Sequence, residues 1–342
     1  MRIIISGDVF RIHPEIPHVS NSLANIEWLY YLLKWQLEQA TSLPVEIAAW
    51  KPGSFDYDAF LELSHDDMST THEAWLKFYN TSLTTEMEDY ILQFYADAIV
   101  ITFEINPTMS ALFRRHGIPH INLTIHPIRF LDDLMFGFQT NNVEIGNRIR
   151  NFEADLSNID FTVNLITAKL RQKGKLDIPQ NTTVITGQKY CDRSLISNGR
   201  FLTFNDYEET LMDLIETETS ILFKPHVNST NDCPLLKDME QLGIQVVIDN
   251  FYQLLAQDNL KKIVTINSST GVEAKFFGKE TVFLSNKIKT EIPIMKHHFN
   301  PGFWADILSP IIETKMKNCP FDQTLKLRKF INNAWAYKII SD

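Results

Sequence analysis

KIVTINSSTGVEAKFFGKETVFLS, residues 262–285, decides how the rest of the chain is read. A strand-like run, KIVTINSS at 262–269, leads through Asn267, Ser268 and Ser269 into Thr270 and Gly271. A short helix at 271–278 stops at Gly278, and a second apolar run, TVFLS at 281–285, follows. Strand, turn, helix and strand in that order make a crossover unit of a parallel sheet. The strand segments are continuously apolar and do not alternate, as expected when helices cover both sheet faces.

Outward from this unit the same alternation continues. Upstream lie strands at 183–188, 220–226 (SILFKPH) and 245–250, with a helix at 205–217. The first half shows strands at 2–6 (RIIIS), 44–50, 98–104 (AIVITFE) and 119–127 (PHINLTIHP). Helices are predicted at 25–41, 87–96 and 106–117, the last stopped by Gly117. A long helical stretch, 143–174, leads to GKLDIPQNTT at 174–183, whose Gly, Pro, Asn and threonines lack apolar periodicity and read as a linker. The expected fold is α/β, with two Rossmann-like domains facing a cleft. Residues 1–180 form the first, 181–320 the second, and 321–342 a closing helix. In open parallel sheets ligands bind beyond the carboxyl ends of the strands, so strand-end residues are the candidates for chemistry.

The 342 residues are 44% hydrophobic and 22% charged, enough for two cores of common domain size. A formal net charge of -10 argues against a general nucleic-acid binder. Basic residues gather in KTEIPIMKHH, ETKMKN and LKLRKF near the C-terminal end. Cys191, Cys233 and Cys319 are far apart and odd in number, which supports neither a disulfide framework nor a zinc site. The apolar run in MRIIISGDVF is too brief for a signal segment, and no run reaches the length of a membrane span. A cytoplasmic protein is expected, with at most peripheral membrane association.

Five stretches carry candidate chemistry. The start of the helix after Asn267 suits a phosphate, because its first amides lack internal partners and its N-terminus is partly positive; Ser268, Ser269 and Thr270 add hydroxyls. The same residues also read as a simple cap. Glu273, inside the first turn, either takes the diol of a ribose or belongs to a capping box. SILFKPH brings Lys224 and His226 to the end of a strand, both able to donate to phosphate oxygens. TVITGQKYCDRSLI places Gln188, Asp192 and Arg193 after another strand, where Asp192 is either an N-cap or a carboxylate facing the cleft. Glu104 ends AIVITFE in the first half; a carboxylate there is costly to desolvate unless it reaches the cleft or a partner. HPIRFLDDL gathers His126, Arg129, Asp132 and Asp133, with Arg129 aimed at a substrate carboxylate or at its own aspartates.

Other motifs weigh less. Asp56-Tyr57-Asp58 does not end an apolar strand, and His297-His298 lacks a third ligand, so no metal site is read. Fingerprints of dinucleotide oxidoreductases, P-loop kinases and serine hydrolases do not occur in the required strand and helix context.

FEINP (103–107), GIPHINLTIHPIRFLDDL (117–134), GQKYCDRSLI (187–196), FKPH (223–226) and INSSTGVEAKFFGK (266–279) together resemble the retaining β-Kdo glycosyltransferases of bacterial capsule and O-antigen assembly. Nearest in appearance is the O-polysaccharide chain-terminating module, with the capsule-linker enzymes as cousins. The resemblance implies a modified GT-B architecture and CMP-β-Kdo as donor, with no metal cofactor. It implies Asp192 as the nucleophile forming a covalent Kdo intermediate and Glu104 as the acid/base carboxylate. Lys224 and His226 would contact the CMP phosphate, Ser268, Ser269 and Thr270 would hold it, and Glu273 would take the ribose. Gln188 and Arg193 would lie at the donor, and Asp8, His126, Arg129 and Asp132 near the sugar or acceptor. The implied partners are a nucleotide-sugar donor, a glycan acceptor and other glycan-assembly transferases, with the enzyme at the inner face of the bacterial inner membrane. A single-displacement transferase using another nucleotide-sugar, and a non-catalytic nucleotide- or glycan-binding module, remain as alternatives.

Overall fold

A computed structural model describes residues 1–14, 16, 18–64, 72–189, 191–226, 239, 242–285, 291–315 and 324–335. The chain divides into two compact units. The first holds Met1–His126, Asp133–Ala154 and a returning segment that starts at Glu291; the second holds Pro127–Asp132 and Asp155–Thr290. In chain order the strands are β1 (Arg2–Gly7), β2 (Val45–Ile47), β3 (Ala98–Phe103), β4 (His120–Ile125), β5 (Phe136–Thr140), β6 (Thr182–Thr186), β7 (Ile196–Ser197), β8 (Arg200–Phe201), β9 (Ile221–Lys224), β10 (Gln245–Val246), β11 (Leu260–Thr265), β12 (Glu280–Phe283) and β13 (Ile292–Ile294).

The sheet of the first unit has the order β13-β5-β4-β3-β1-β2. Strands β1 to β4 pair in parallel. All six residues of β3 and of β4 are buried, which fits strands covered on both faces; β4 nevertheless buries His120, Asn122 and Thr124 among its apolar residues. The expected βαβ series then stops, because β5 pairs antiparallel with β4 and β13 antiparallel with β5. No helix crosses over between β4 and β5, and without a crossover only an antiparallel return is open to the chain.

Helices position the strand ends. Leu23–Thr41 buries Ile26, Leu29, Leu33 and Leu37 at helical spacing and packs on Pro301–Leu308, whose Phe303, Trp304, Ile307 and Leu308 are all buried. Pro107–Arg115 begins with proline at its first turn, where a missing N–H costs nothing, and Asn106 Oδ1 caps it by accepting from Thr108 N at 2.9 Å. Arg114 and Arg115 lie in its last turn, favourable to the helix dipole, and Gly117 follows at φ +64 as expected of a helix stop.

The long helix expected over 143–174 is two helices. Val143–Arg150 belongs to the first unit, where Arg148 pairs with Asp306 at 2.8 Å. Ile159–Gln172 belongs to the second and packs on the helices Phe251–Leu255 and Ser269–Phe276 through a face formed by Ile159, Val163, Ile166 and Leu170. The units therefore part near residue 154 rather than at the linker-like 174–183. The segment from Glu291 also differs from expectation by returning to the first unit, because β13 completes that sheet. Leu327–Trp335 supplies the closing helix, with Leu327 and Ile331 buried.

The second unit has the strand order β10-β9-β6-β11-β12, parallel throughout, and a small antiparallel β7–β8 hairpin. Strand β6 buries three threonines. Thr182 Oγ1 donates to Pro179 O at 2.7 Å, and Thr186 Oγ1 shares a hydrogen bond with Thr270 Oγ1 at 2.9 Å, so these two of the three hydroxyls enter the core with partners.

Two histidines of the first unit are buried neutral. His298 packs against Phe136 and Phe299 with neither ring nitrogen hydrogen-bonded, and burial pushes it down to about 3. His120 is pushed down to about 4 by burial, with Arg114 adding to the effect. Between about pH 4 and pH 6.5 the unfolded chain binds protons that the folded chain does not, so stability rises with pH across that window, by up to about 1.4 kcal/mol per pH unit for each histidine. Denaturant melts of a His298→Phe variant should show a clearly shallower rise over the window. An unchanged slope would show that His298 does not contribute.

Candidate functional site

Three central strands of the second unit end side by side. Gly187 follows β6 and donates its N–H to Lys224 O at 2.8 Å. A Cβ on Gly187 would come within 3.2 Å of His226 N and of the Phe223 ring, so glycine permits the close approach of the two strand ends. Gln188 ties β6 to β11: its Oε1 accepts from Asn267 N at 2.9 Å, and its Nε2 donates to Asn267 Oδ1 at 2.8 Å. Asn267 Nδ2 in turn donates to Ser194 O at 2.7 Å. Asp192 begins this loop, after Cys191 at φ +59, and caps the one-turn 3-10 helix Arg193–Leu195 by accepting from Ser194 N at 2.8 Å. Of the two readings of Asp192, the structure shows the cap; its charge also acts on His226.

Electrostatics define those neighbours. Burial lowers the pKa of His226, Asp192 opposes the shift, and Lys189, Arg129 and Lys224 reinforce it. Asp192, Lys189, Arg129 and Lys224 therefore each lie within electrostatic reach of His226. Lys224 is itself lowered by burial, opposed by Asp249. A group of one carboxylate, three fixed cations and an imidazole held below its usual range has a net positive character suited to an anionic ligand, with His226 able to donate from one ring nitrogen while neutral.

The helix Ser269–Phe276 starts at the same sheet edge. Ser268 is its N-cap, accepting from Thr270 N at 3.3 Å, and Ser268 N donates to Thr265 Oγ1 at 3.2 Å. Thr270 is tied to Thr186. Capping therefore occupies part of the hydroxyl set, while Ser269 stands at the first helical position. Gly271 is required by packing: a Cβ there would sit 2.7 Å from the Phe283 ring.

Glu273 departs from its expected place at a ribose. It is 3% exposed, and its Oε1 accepts from Arg129 N at 2.7 Å and from Tyr252 OH at 2.9 Å. The carboxylate anchors 127–132 within the second unit, where Phe130 also packs on Tyr252, Phe276 and Phe277. In this way Glu273 sets where Arg129 lies. The cluster expected over 126–133 is divided: Arg129 and the exposed Asp132 belong to the second unit, His126 and Asp133 to the first. His126 donates its backbone N–H to Met135 O at 2.9 Å. Asp133, fully buried, accepts from Leu134 N at 2.8 Å and caps the distant helix Leu327–Trp335 by accepting from Leu327 N at 2.9 Å and Arg328 N at 2.8 Å.

In the first unit Glu104 follows β3 at φ +54, a conformation uncommon for a residue with a side chain. Its N–H donates to Leu123 O at 2.9 Å and its carboxylate pairs with Arg11 at 3.0 Å. Asp8, expected near sugar or acceptor, is instead 1% exposed. It accepts from Trp75 Nε1 at 2.7 Å, from Phe10 N at 3.1 Å and from Asn106 Nδ2 at 3.3 Å, because a carboxylate buried so fully must be met by donors.

Asp56 caps the helix Tyr57–Glu62, and Asp58 pairs with His18 at 2.9 Å. Among the described residues no group of three or more His, Cys, Asp or Glu is placed to hold a metal. Cys191 is buried and forms no disulfide among the described residues; Cys233 and Cys319 lie outside them. No helix among the described residues is long and apolar enough to cross a membrane. Arg11, Trp75, Lys189 and Tyr252 are the residues that sequence reasoning missed. Arg11 and Lys189 each follow a strand that had been recognised, which was their available signal; Trp75 and Tyr252 carried none.

No protein-family model and no curated protein matches the chain. Solved structures that do match include two from Thermosulfurimonas dismutans KpsC. The beta Kdo 2,7 transferase aligns at a TM-score of 0.35 and 13% identity over 58% of this chain and 69% of that one. The beta Kdo 2,4 transferase aligns at 0.34 and 14%, over 54% and 67%.

Proposed function

We propose that the chain is a metal-independent, GT-B-like retaining glycosyltransferase that transfers Kdo from CMP-β-Kdo to a bacterial surface glycan. The observation that carries this reading is the grouping of Asp192, His226, Arg129, Lys189 and Lys224 at the carboxyl edge of the second unit's parallel sheet, where the helix Ser269–Phe276 also begins. A phosphodiester and a sugar carboxylate are both anions, and three cations with a helix N-terminus answer both. The motif resemblance around 187–196, 223–226 and 266–279 narrows the anion to a CMP-sugar.

In the proposed reaction the Asp192 carboxylate attacks the anomeric carbon, the bond to the CMP phosphate breaks, and CMP leaves. The acceptor hydroxyl then attacks the same carbon, the ester bond to Asp192 breaks, and the hydroxyl proton passes to a carboxylate base, the role that the motif resemblance gives to Glu104. Two displacements give retention, the logic of retaining glycosidases. His226 and Lys224 are assigned to the CMP phosphate, and Arg129 to the sugar carboxylate. The arrangement needs no proton donor for CMP, which departs as a phosphate anion.

Calorimetric titration with CMP, UMP, UDP, GDP and ADP, without and with magnesium, tests this directly. CMP is expected to bind selectively and without metal, and His226→Ala to weaken it about tenfold, the loss of one hydrogen bond to a charged group. Preference for a nucleoside diphosphate would point to a single-displacement transferase with another donor. No nucleotide binding would leave a glycan-binding module.

A further inference from the structure

Residues 127–132 interrupt the sequence of the first unit yet belong to the second. The segment is neither helix nor strand, so no ladder holds it and its place is set by its individual anchors. Ile128 and Phe130 are 3% and 2% exposed. The Phe130 ring meets Phe277 edge-on at 5.3 Å between centroids, Phe276 at 5.9 Å and Tyr252 at 6.5 Å. Between these two apolar side chains the main chain of Arg129 donates its N–H to Glu273 Oε1 at 2.7 Å, and the same oxygen accepts from Tyr252 OH at 2.9 Å. One carboxylate oxygen joins three pieces of the second unit: the helix Phe251–Leu255, the helix Ser269–Phe276 and the segment 127–132.

The placement is specific to one residue. Glu273 lies about one turn, roughly 6 Å along the axis, from the helix start at Ser269, which stands at the carboxyl edge of the sheet. A carboxylate only 3% exposed is costly to desolvate, and an apolar side chain would fill the same space. What the carboxylate adds is a directed acceptor that fixes the backbone at 129, and 129 is the arginine assigned to the sugar carboxylate. From there the charge of Arg129 acts on His226, the group assigned to the CMP phosphate. We propose that Glu273 and Tyr252 are positioning residues for Arg129, which through its main chain aim the guanidinium at the carboxylate of the donor sugar and so give the site its preference for an acidic CMP-sugar. This inference rests on the CMP-sugar reading given above.

Binding without turnover separates the possibilities. Full-length Asp192→Asn protein is titrated calorimetrically with CMP-β-Kdo and with CMP, which lacks the sugar carboxylate. In that background Arg129→Gln, which keeps the N–H to Glu273, is expected to weaken CMP-β-Kdo about thirtyfold, the loss of a bond between charged groups, and CMP by less than about threefold. Tyr252→Phe, which keeps the ring against Phe130, is expected to weaken CMP-β-Kdo about fivefold and CMP by less than about twofold. Glu273→Ala should act in the same sense and more strongly; if it does not fold, Tyr252→Phe decides. Adding Tyr252→Phe to Arg129→Gln should weaken the donor no further, because the hydroxyl acts through the guanidinium. Unchanged donor affinity in Tyr252→Phe, equal weakening of donor and CMP, or a further loss in the double variant would each overturn the positioning role. If CMP binds but Arg129→Gln leaves donor affinity unaltered, the CMP site stands and this inference alone fails. If the Asp192→Asn protein binds neither CMP nor CMP-β-Kdo, the CMP-sugar reading fails and this one with it.

Discussion

Asp192→Asn is expected to reduce transfer from CMP-β-Kdo by at least about a thousandfold, some 4 kcal/mol of transition-state stabilisation, without unfolding the site. Asparagine keeps the Oδ1 acceptor that caps the 3-10 helix Arg193–Leu195, so the loop held by Ser194 N should survive. An amide, however, cannot attack the anomeric carbon as the carboxylate does. Nucleotide binding should respond in the opposite sense. Asp192 is within electrostatic reach of His226, and removing its negative charge leaves the neighbouring cations less opposed, so CMP affinity is expected to stay level or tighten by a few-fold. No mass adduct should appear on the variant. Undiminished turnover by Asp192→Asn would remove Asp192 from the nucleophile's role. A loss of CMP binding equal to the loss of rate would instead make it a structural element of the donor site.

Asp133→Ala is expected to cost about 3 kcal/mol of stability in the first unit. Two N–H groups at the start of the helix Leu327–Trp335 and one at Leu134 would lose their acceptor in a fully buried place. In a unit of this size that corresponds to a fall of roughly 5–10 °C in melting temperature. Asp133→Asn should recover only part of it. Its oxygen can take over the Oδ1 contacts, but its amide would present hydrogens to Leu327 N where Oδ2 had accepted one. Calorimetric or circular-dichroism melts decide the matter. A variant that melts like the parent but loses affinity for acceptor would return Asp133 to the sugar site suggested by its place in HPIRFLDDL.

These two aspartates show why local sequence reads some roles and not others. Asp192 stands two residues before the N–H that it caps, and DRS after a strand end carries that possibility openly. Asp133 caps a helix that begins nearly two hundred residues later, so nothing in LDDL announces it. Glu273 is a third case. Read from the sequence as lying in the first turn of a helix, it suggested a cap or a ribose partner; the helix in fact starts at Ser269, and the Glu273 Oε1 serves Arg129 N and Tyr252 OH, contacts across sequence separations that no local pattern encodes.

The amino-acid sequence by itself determined the strands and helices that position the candidate sites. Runs such as AIVITF and KIVTI are predominantly apolar without strict alternation because both sheet faces are covered, and Asn106-Pro107 and Gly117 mark helix ends through local backbone chemistry. It also brought Lys224 and His226 to the end of one strand and Asp192 and Ser268 to the loops that follow two others, since those strands are legible from period alone. Only the tertiary structure decided that β5 and β13 turn antiparallel, that the chain returns to its first unit at Glu291, and that the 126–133 cluster is shared between units. It alone supplied Arg11 to Glu104, Trp75 to Asp8 and Tyr252 to Glu273. Pairing partners are chosen by competition among distant surfaces for burial and for hydrogen bonds, and that competition leaves no mark on the spacing of residues along the chain.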